Sequence, residues 1–231
     1  MNPESGAATS YSLVLPRGWV RVPLREGTAE ALEEKVFRGL EKVPAGVPRD
    51  AGMAYRLYVR RRVEKLVGEA RRAGGLDLYV PVGVRPGGAI AASFVVGEVA
   101  ARGEASARAE AMVARLAADA GEVRGVGDTV AARWEYVRGP SAEEAEADTA
   151  SRHVDYVLPV PGNEASRWLV VSFSTAGDGD PGSAFTHALA DLFDAVMTTF
   201  RWSRTDSRTG SHTESRTHSR TDSHTGAGAG A

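Results

Sequence analysis

The order of hydrophobic patterns along the chain is the feature that most restricts its fold. Between residues 11 and 202 the patterns predict two strands, two helices, two strands, a helix, four strands and a closing helix. The regular strand–helix–strand alternation of a parallel sheet is missing. We therefore expect the α+β class, with a mostly antiparallel sheet covered by helices. At 231 residues and 42% hydrophobic content, the chain fits one domain with its own core.

The local patterns predict the bounds of each element. Strands are predicted at 11–15, 19–22, 76–81, 89–99, 123–126, 129–137, 154–160 and 167–175. Helices are predicted at 28–43, 50–73, 106–120 and from Phe185 to Phe200. Thr28 is the expected cap of the first helix. The second helix is expected to bury Met53, Leu57, Val63, Leu66 and Ala70.

Two strand predictions also concern position in the sheet. The first two strands, interrupted by Pro16 and Gly18, are expected to form a kinked hairpin or a bulge at the start of the sheet. The continuous apolar run at 167–175 predicts a central strand that is buried on both faces.

The chemistry of the chain changes after Trp202. Residues 203–226 are successive tetrapeptides of the form Ser-[Arg/His]-Thr-x, and Gly-Ala alternation follows. Without large apolar side chains, such a segment cannot offset the entropy cost of ordering its backbone. We predict a flexible N-terminus at 1–10, a single α+β domain at 11–202 and a disordered tail at 203–231. The tail's evenly spaced histidines preorganise no metal site: His212, His218 and His224.

Composition excludes several classes of protein. The chain has no cysteine, which rules out disulfides, thiolate nucleophiles and cysteine-ligated metal centres. A formal charge of −2 gives no basis for non-specific nucleic-acid binding. The excess of 25 arginines over 3 lysines is what codon choice in a GC-rich bacterial genome produces. With neither a signal peptide nor an apolar run of ~20 residues, we expect a cytoplasmic protein without a transmembrane segment.

Both ends of the predicted domain resemble a known superfamily. Residues 11–19, Tyr-Ser-Leu-Val-Leu-Pro-Arg-Gly-Trp, resemble the opening of the PsbP/LpqN-like α/β/α superfamily, in which an aromatic-rich strand precedes Leu-Pro-x-Gly-Trp. The closing strand and helix at 168–202 are also similar to that pattern. The whole domain resembles small actinobacterial proteins, some of them encoded near type VII secretion genes. The resemblance implies a non-catalytic accessory or docking domain, and it carries no catalytic residue.

Two groups of polar residues are candidates for acid/base chemistry or metal ligation. His153 and Asp155 are two apart on a predicted strand and therefore share a face. His187, Asp191 and Asp194 share one face of the last helix. In both cases we favour the simpler interpretation, a surface strand pair and a solvated helix face. We predict no catalytic residue, no metal and no cofactor.

Two glycine-containing loops have weaker signals. Asp178–Gly182 has some of the spacing of a calcium loop but lacks the glutamate at position twelve, so we expect Ser183 or Asp180 to cap the last helix. Gly125-x-Gly127 lacks the third glycine, the lysine and the following helix of a phosphate-binding loop.

Charge is unevenly distributed along the domain. The second helix is rich in bases, and 141–150 holds four acidic residues and no base. We predict that the basic side chains bind an acidic partner, with the acidic segment as an internal competitor or a second docking surface. The simpler alternative is a solvated helix and a solvated loop. The predicted partner-binding residues are Arg56, Arg60, Arg61, Arg62 and Lys65.

Together these observations predict a non-enzymatic interaction or accessory protein that binds a protein partner. The alternative is a small-molecule or lipid-binding protein with an aromatic-lined pocket between sheet and helices. That pocket would lie near Trp19, Trp134 or Trp168. The identity of the partner and the oligomeric state are not encoded in any pattern of the sequence.

Overall fold

The computed structural model describes residues 8–38, 49–82, 90–100, 109–118, 121–140, 149–162 and 167–204. Its helices are α1 (Thr28–Ala31), a π-helix (Leu32–Phe37), α2 (Arg49–Arg72), α3 (Ala109–Ala117) and α4 (Ala184–Thr198). Its strands are β1 (Ala8–Ser12), β2 (Trp19–Pro23), β3 (Gly75–Pro81), β4 (Ala91–Ala100), β5 (Glu122–Val126), β6 (Thr129–Arg138), β7 (Ser151–Pro159), β8 (Arg167–Gly177) and β9 (Arg201–Arg204).

Seven of these strands form one sheet in the order β2-β3-β4-β8-β7-β6-β5. Every neighbouring pair in this sheet is antiparallel. Helices cover both of its faces, so the predicted α+β class with an antiparallel sheet is confirmed. Among the described helices, none combines the length and apolar character that crossing a bilayer requires.

The face of the sheet that packs on α4, hereafter the α4 face, carries an aromatic core. The Phe193 ring lies 4.9 Å from that of Phe173 and 5.4 Å from that of Phe94. Ser183 accepts a hydrogen bond from the Thr186 amide and caps α4, as predicted. Two large apolar side chains of α4 lie outside this core. Phe185 and Leu192 are 44% and 37% exposed, because they lie about a quarter turn from the buried row.

The opposite face, hereafter the α2–α3 face, has two separate cores. Val63, Val67 and Ala70 of α2 belong to a buried cluster with Leu78 of β3 and the π-helix. Towards the other edge, α3 packs on the sheet through a second cluster, which consists of Val113, Ala117, Ala132 and Trp168.

The N-terminal half of α2 corrects one prediction. Met53 and Leu57 were expected to be buried, yet they are 57% and 52% exposed. The physical reason is length. A helix of 24 residues spans about 36 Å, whereas β3 beneath it has 7 residues and spans about 23 Å. Only the C-terminal half of α2 therefore buries apolar side chains on the sheet.

The first helix also differs from its prediction. Its N-cap is Gly27, in the left-handed region at φ 70°, and not Thr28. The Thr28 hydroxyl donates to the Pro23 carbonyl at 2.7 Å instead. After one turn the helix continues as a π-helix, in which Val36 is buried. The predicted end of this helix, at 39–43, lies outside the described residues.

The first two strands do not form the predicted hairpin, because β1 pairs with β9 in a separate two-stranded ribbon. In this ribbon Tyr11 stacks on Phe200 at 5.8 Å. The ribbon also extends past the predicted domain limits of 11 and 202. Ala8 pairs with Arg204 and Ser10 with Ser203, so the first two residues of the repeat belong to the fold. Residues 205–231, the rest of the predicted tail, lie outside the described residues.

β3 and β4 are antiparallel neighbours. The predicted central position of the strand at 167–175 is confirmed. β8 occupies the centre of the sheet. Leu169, Val171 and Phe173 are buried on its α4 face. On the other face Trp168 is buried, whereas Val170, Ser172 and Ser174 are only partly buried, so the expected burial on both faces is incomplete.

Candidate interaction surface

The five predicted partner-binding bases do not share one face of α2. At ~100° per residue, Arg56 and Arg60 fall in one row, on the side of the helix that faces the π-helix. Arg61 and Lys65 form a second row on the solvent side, with Arg62 beside it. The structure therefore divides the predicted set into an engaged row and a solvent-facing group.

Arg60 has a structural partner. Its guanidinium pairs with the Glu33 carboxylate at 2.9 Å and lies 4.3 Å from the centre of the Phe37 ring. Both contacts join α2 to the π-helix, and the position over the ring adds a cation–π interaction. Arg60 therefore ties two helices together.

The solvent side of α2 combines exposed bases with exposed large apolar side chains. Leu57 precedes Arg61 by one turn, and Tyr58 precedes Arg62 by one turn. Tyr58 is 56% exposed and Leu57 is 52% exposed. Arg61 and Arg62 are exposed and have no hydrogen bond or ion pair with any residue that the structure describes. Lys65 lies 3.9 Å from Glu69.

We call this group the α2 surface; it consists of Leu57, Tyr58, Arg61, Arg62 and Lys65. Exposed large apolar side chains continue along α2 at Met53 and Tyr55. The sequence indicated the bases but not the apolar members, because helical periodicity assigned Leu57 to the core. The sequence signal that could have indicated an exposed apolar surface was the presence of Tyr55 and Tyr58 among the bases of this charged helix.

The three tryptophans of the alternative pocket lie on different faces of the sheet. Trp19 packs on the α4 core, whereas Trp134 packs beside Trp168 on the α2–α3 face. Trp19 lines a cavity of about 10 Å³ between Phe94 and Leu192. That space is at the lower limit for one water molecule, and ligand pockets are roughly 300–1,000 Å³.

His153 and Asp155 share a face of β7, as predicted, and both side chains contact neighbouring side chains. The His153 Nε2 atom lies 2.8 Å from the Ser151 hydroxyl, and its ring stacks on Tyr136 at 5.1 Å. Burial, followed by the Arg138 charge, lowers the pKa of His153. Asp155 accepts a hydrogen bond of 2.9 Å from the Tyr136 hydroxyl. The pair is part of a hydrogen-bonded aromatic cluster.

The helix triad His187, Asp191 and Asp194 is not a uniformly solvated face. Asp194 accepts hydrogen bonds from Tyr156 at 2.8 Å and from the buried guanidinium of Arg133 at 2.8 Å and 3.0 Å. His187 lies 3.1 Å from Arg152. Among the described residues, no three His, Cys, Asp or Glu side chains are arranged to hold a metal ion.

Arg133 is the centre of a charged network that sequence patterns did not indicate. It is 7% exposed and reaches three carboxylates, those of Asp194, Glu135 and Glu122, at 2.7–3.1 Å. Burial opposes its charge, but the hydrogen bonds to Asp194 and Glu135 prevail and raise the pKa of Arg133. The network links β5, β6 and α4.

A second buried polar cluster holds the β1–β9 ribbon on the sheet. Asp77 is 2% exposed; it accepts a hydrogen bond of 2.7 Å from Arg21 and another from the Tyr11 hydroxyl. The Tyr79 hydroxyl lies 3.2 Å from that of Tyr11. Burial is the main cause that raises the pKa of both tyrosines.

The glycine-containing loops have structural roles. Asp178 accepts a hydrogen bond of 2.7 Å from the Ser183 hydroxyl, and Asp180 accepts one of 2.8 Å from the Gly182 amide. Both contacts shape the entry into α4. Gly127, at φ 60°, forms the turn between β5 and β6. The acidic residues of 141–148 and the tail histidines lie outside the described residues.

Comparisons with known proteins give little further guidance. No family model matches the chain, and no curated protein matches it. A crystal structure of a protein from Bacteroides thetaiotaomicron VPI-5482 is similar over 56% of this chain, at 11% sequence identity and a TM-score of 0.36. This chain spans 39% of that protein's length. The resemblance to the PsbP/LpqN-like superfamily stays a prediction.

Proposed function

We propose that this protein is a non-enzymatic interaction domain that binds an acidic protein surface through the α2 surface. The observation that carries the proposal is the exposure of Leu57 and Tyr58, at 52% and 56%, directly beside exposed bases. Exposing large apolar side chains to water is unfavourable, and contact with a partner would remove that cost.

The residue types on the α2 surface support a protein partner. Tyrosine and arginine are enriched in protein interfaces and are common among their strongest contributors. An arginine guanidinium also binds carboxylates through two parallel hydrogen bonds. The complementary surface therefore carries carboxylates around an apolar centre that receives Tyr58.

The position of α2 in the fold also supports the proposal. Its C-terminal half is fixed to the sheet by Val63, Val67 and Ala70, and Arg60 fixes it to the π-helix. A rigid helix presents the solvent-facing bases at fixed spacing, which lowers the entropy cost of binding.

Charge substitutions on the full chain test this function. The double variant Arg61→Glu with Arg62→Glu should weaken a partner complex at least about tenfold, since it places like charges together. The matched control, Arg61→Lys with Arg62→Lys, should retain most of the affinity. Supporting evidence is a saturable one-to-one complex that weakens with salt and with the charge reversal. Equal affinity of the reversed and wild-type proteins would refute the proposal.

The alternative function, ligand binding beside Trp19, Trp134 or Trp168, has no comparable support among the described residues. The cavity beside Trp19 holds at most one water molecule, and the other two tryptophans pack in the core below α3.

A further inference from the structure

Among the residues that the structure describes, no strand pairs with the outer edge of β5. β5 pairs with β6 on one side and is the last strand in the order. Its central residues are exposed: Val123 by 51%, and the Arg124 side chain by 54%. The strand contains no proline, the residue that commonly protects such an edge.

The hairpin register shows which backbone groups of β5 point outward. Val126 pairs with Thr129 across a two-residue turn, and Arg124 pairs with Ala131. In a hairpin with a two-residue turn, the two residues that flank the turn exchange hydrogen bonds. Along the strand, such hydrogen-bonded pairs alternate with pairs that are not hydrogen-bonded. The amides and carbonyls of Val123 and Gly125 therefore point away from β6.

We propose that β5 pairs antiparallel with β5 of a second copy of this chain, with Val123 opposite its own counterpart. This register places Glu122 of each copy opposite Arg124 of the other, and Gly121 opposite Gly125. Cross-strand pairs of opposite charge stabilise a sheet, and two-fold symmetry makes both pairs at once.

The neighbouring registers lack this complementarity. A two-fold axis at Arg124 would set two arginines directly against each other, and one at Gly125 would set Glu122 against Asp128. Like charges directly opposite are destabilising. The charges of β5 thus select a single symmetric register.

The dimer predicted by this pairing is weak and depends on concentration. Five-residue edges bury much less than the roughly 1,200 Å² of a stable interface. The two-fold axis is perpendicular to the sheet, so both α2 helices lie on the same side of a continuous sheet. That arrangement would present two α2 surfaces to a bivalent partner.

The absence of cysteine allows a direct test on the full chain. Val123→Cys should form a disulfide-linked dimer under mild oxidation, because residues opposite each other in such a pair have Cα atoms ~5.5 Å apart, within disulfide range. Val99→Cys is the control, since Val99 is 49% exposed on an interior strand.

Sedimentation of the wild type up to about 1 mM should show a reversible dimer. Arg124→Glu should abolish it and Arg124→Lys should preserve it. A wild type that stays monomeric would overturn the proposal, as would equal rates of crosslinking at positions 123 and 99. A dimer that is unaffected by Arg124→Glu would place the interface elsewhere and would also overturn it. If Arg124→Glu fails to fold, the two cysteine variants decide.

Discussion

At the scale of residues, the buried charged network around Arg133 is a feature that sequence patterns missed. A strand arginine at 133 gives no local sign of burial, because its partners Glu122 and Asp194 lie 11 and 61 residues away. By contrast, the Ser183 cap was predictable, since its hydrogen bond to Thr186 is local. Local patterns therefore identify caps and apolar stripes, whereas buried charge networks require the tertiary structure.

Replacing Arg133 with methionine should lower the free energy of unfolding by about 3 kcal/mol, because it leaves the Asp194 and Glu135 carboxylates without their buried cation. Arg124→Met is the matched control. Arg124 also pairs with Glu122, at 2.9 Å, but it is 54% exposed, so its loss should cost less than about 1 kcal/mol. Urea denaturation of both variants measures the difference. Equal losses would show that the network contributes no more than a surface ion pair.

At the scale of elements, predictions failed where pairing partners are distant in sequence. A strand at 11–15 was expected and β1 lies at Ala8–Ser12, but its partner β9 comes from the other end of the chain. Alternation within a strand indicates which face is apolar and says nothing about which strand lies beside it.

The second helix shows the same limit in another form. Its bounds, Arg49–Arg72, agree closely with the predicted 50–73. Its periodicity predicted a buried row from Met53 to Ala70, but the large apolar side chains that are buried, Val63 and Val67, belong to the C-terminal half. The candidate interaction surface arises from the mismatch in length between α2 and β3, and so the sequence indicated its bases but not its apolar side chains.

At the scale of the whole molecule, two buried tyrosines, Tyr79 and Tyr156, and the partly buried Tyr11 couple stability to alkaline pH. In the folded state burial raises the pKa of Tyr11, Tyr79 and Tyr156. Above pH ~10 the unfolded chain loses these protons while the folded chain keeps them. The unfolded state then binds fewer protons, so stability is fully present below pH ~10 and falls as the pH rises further.

Above pH ~10, each of these tyrosines should add up to about 1.4 kcal/mol per pH unit to the fall in the free energy of unfolding. Urea midpoints measured from pH 9 to pH 11 test this slope. Tyr11→Phe should reduce the slope above pH ~10, since it removes one of the groups that hold their proton in the folded state. A stability that is constant up to pH ~11 would contradict the burial of these hydroxyls.

The proposed binding of an acidic partner through the α2 surface can be tested in the native cell. The most direct measurement is photo-crosslinking in the native cell, with a photoreactive phenylalanine analogue in place of Tyr58. The control carries it at Tyr136, which is 38% exposed on the same face of the sheet. We predict one specific adduct from position 58, with a protein whose contact region is acidic, and its loss when Arg61 and Arg62 are reversed. The same adduct from both positions, or none from position 58, would contradict binding of a partner through the α2 surface.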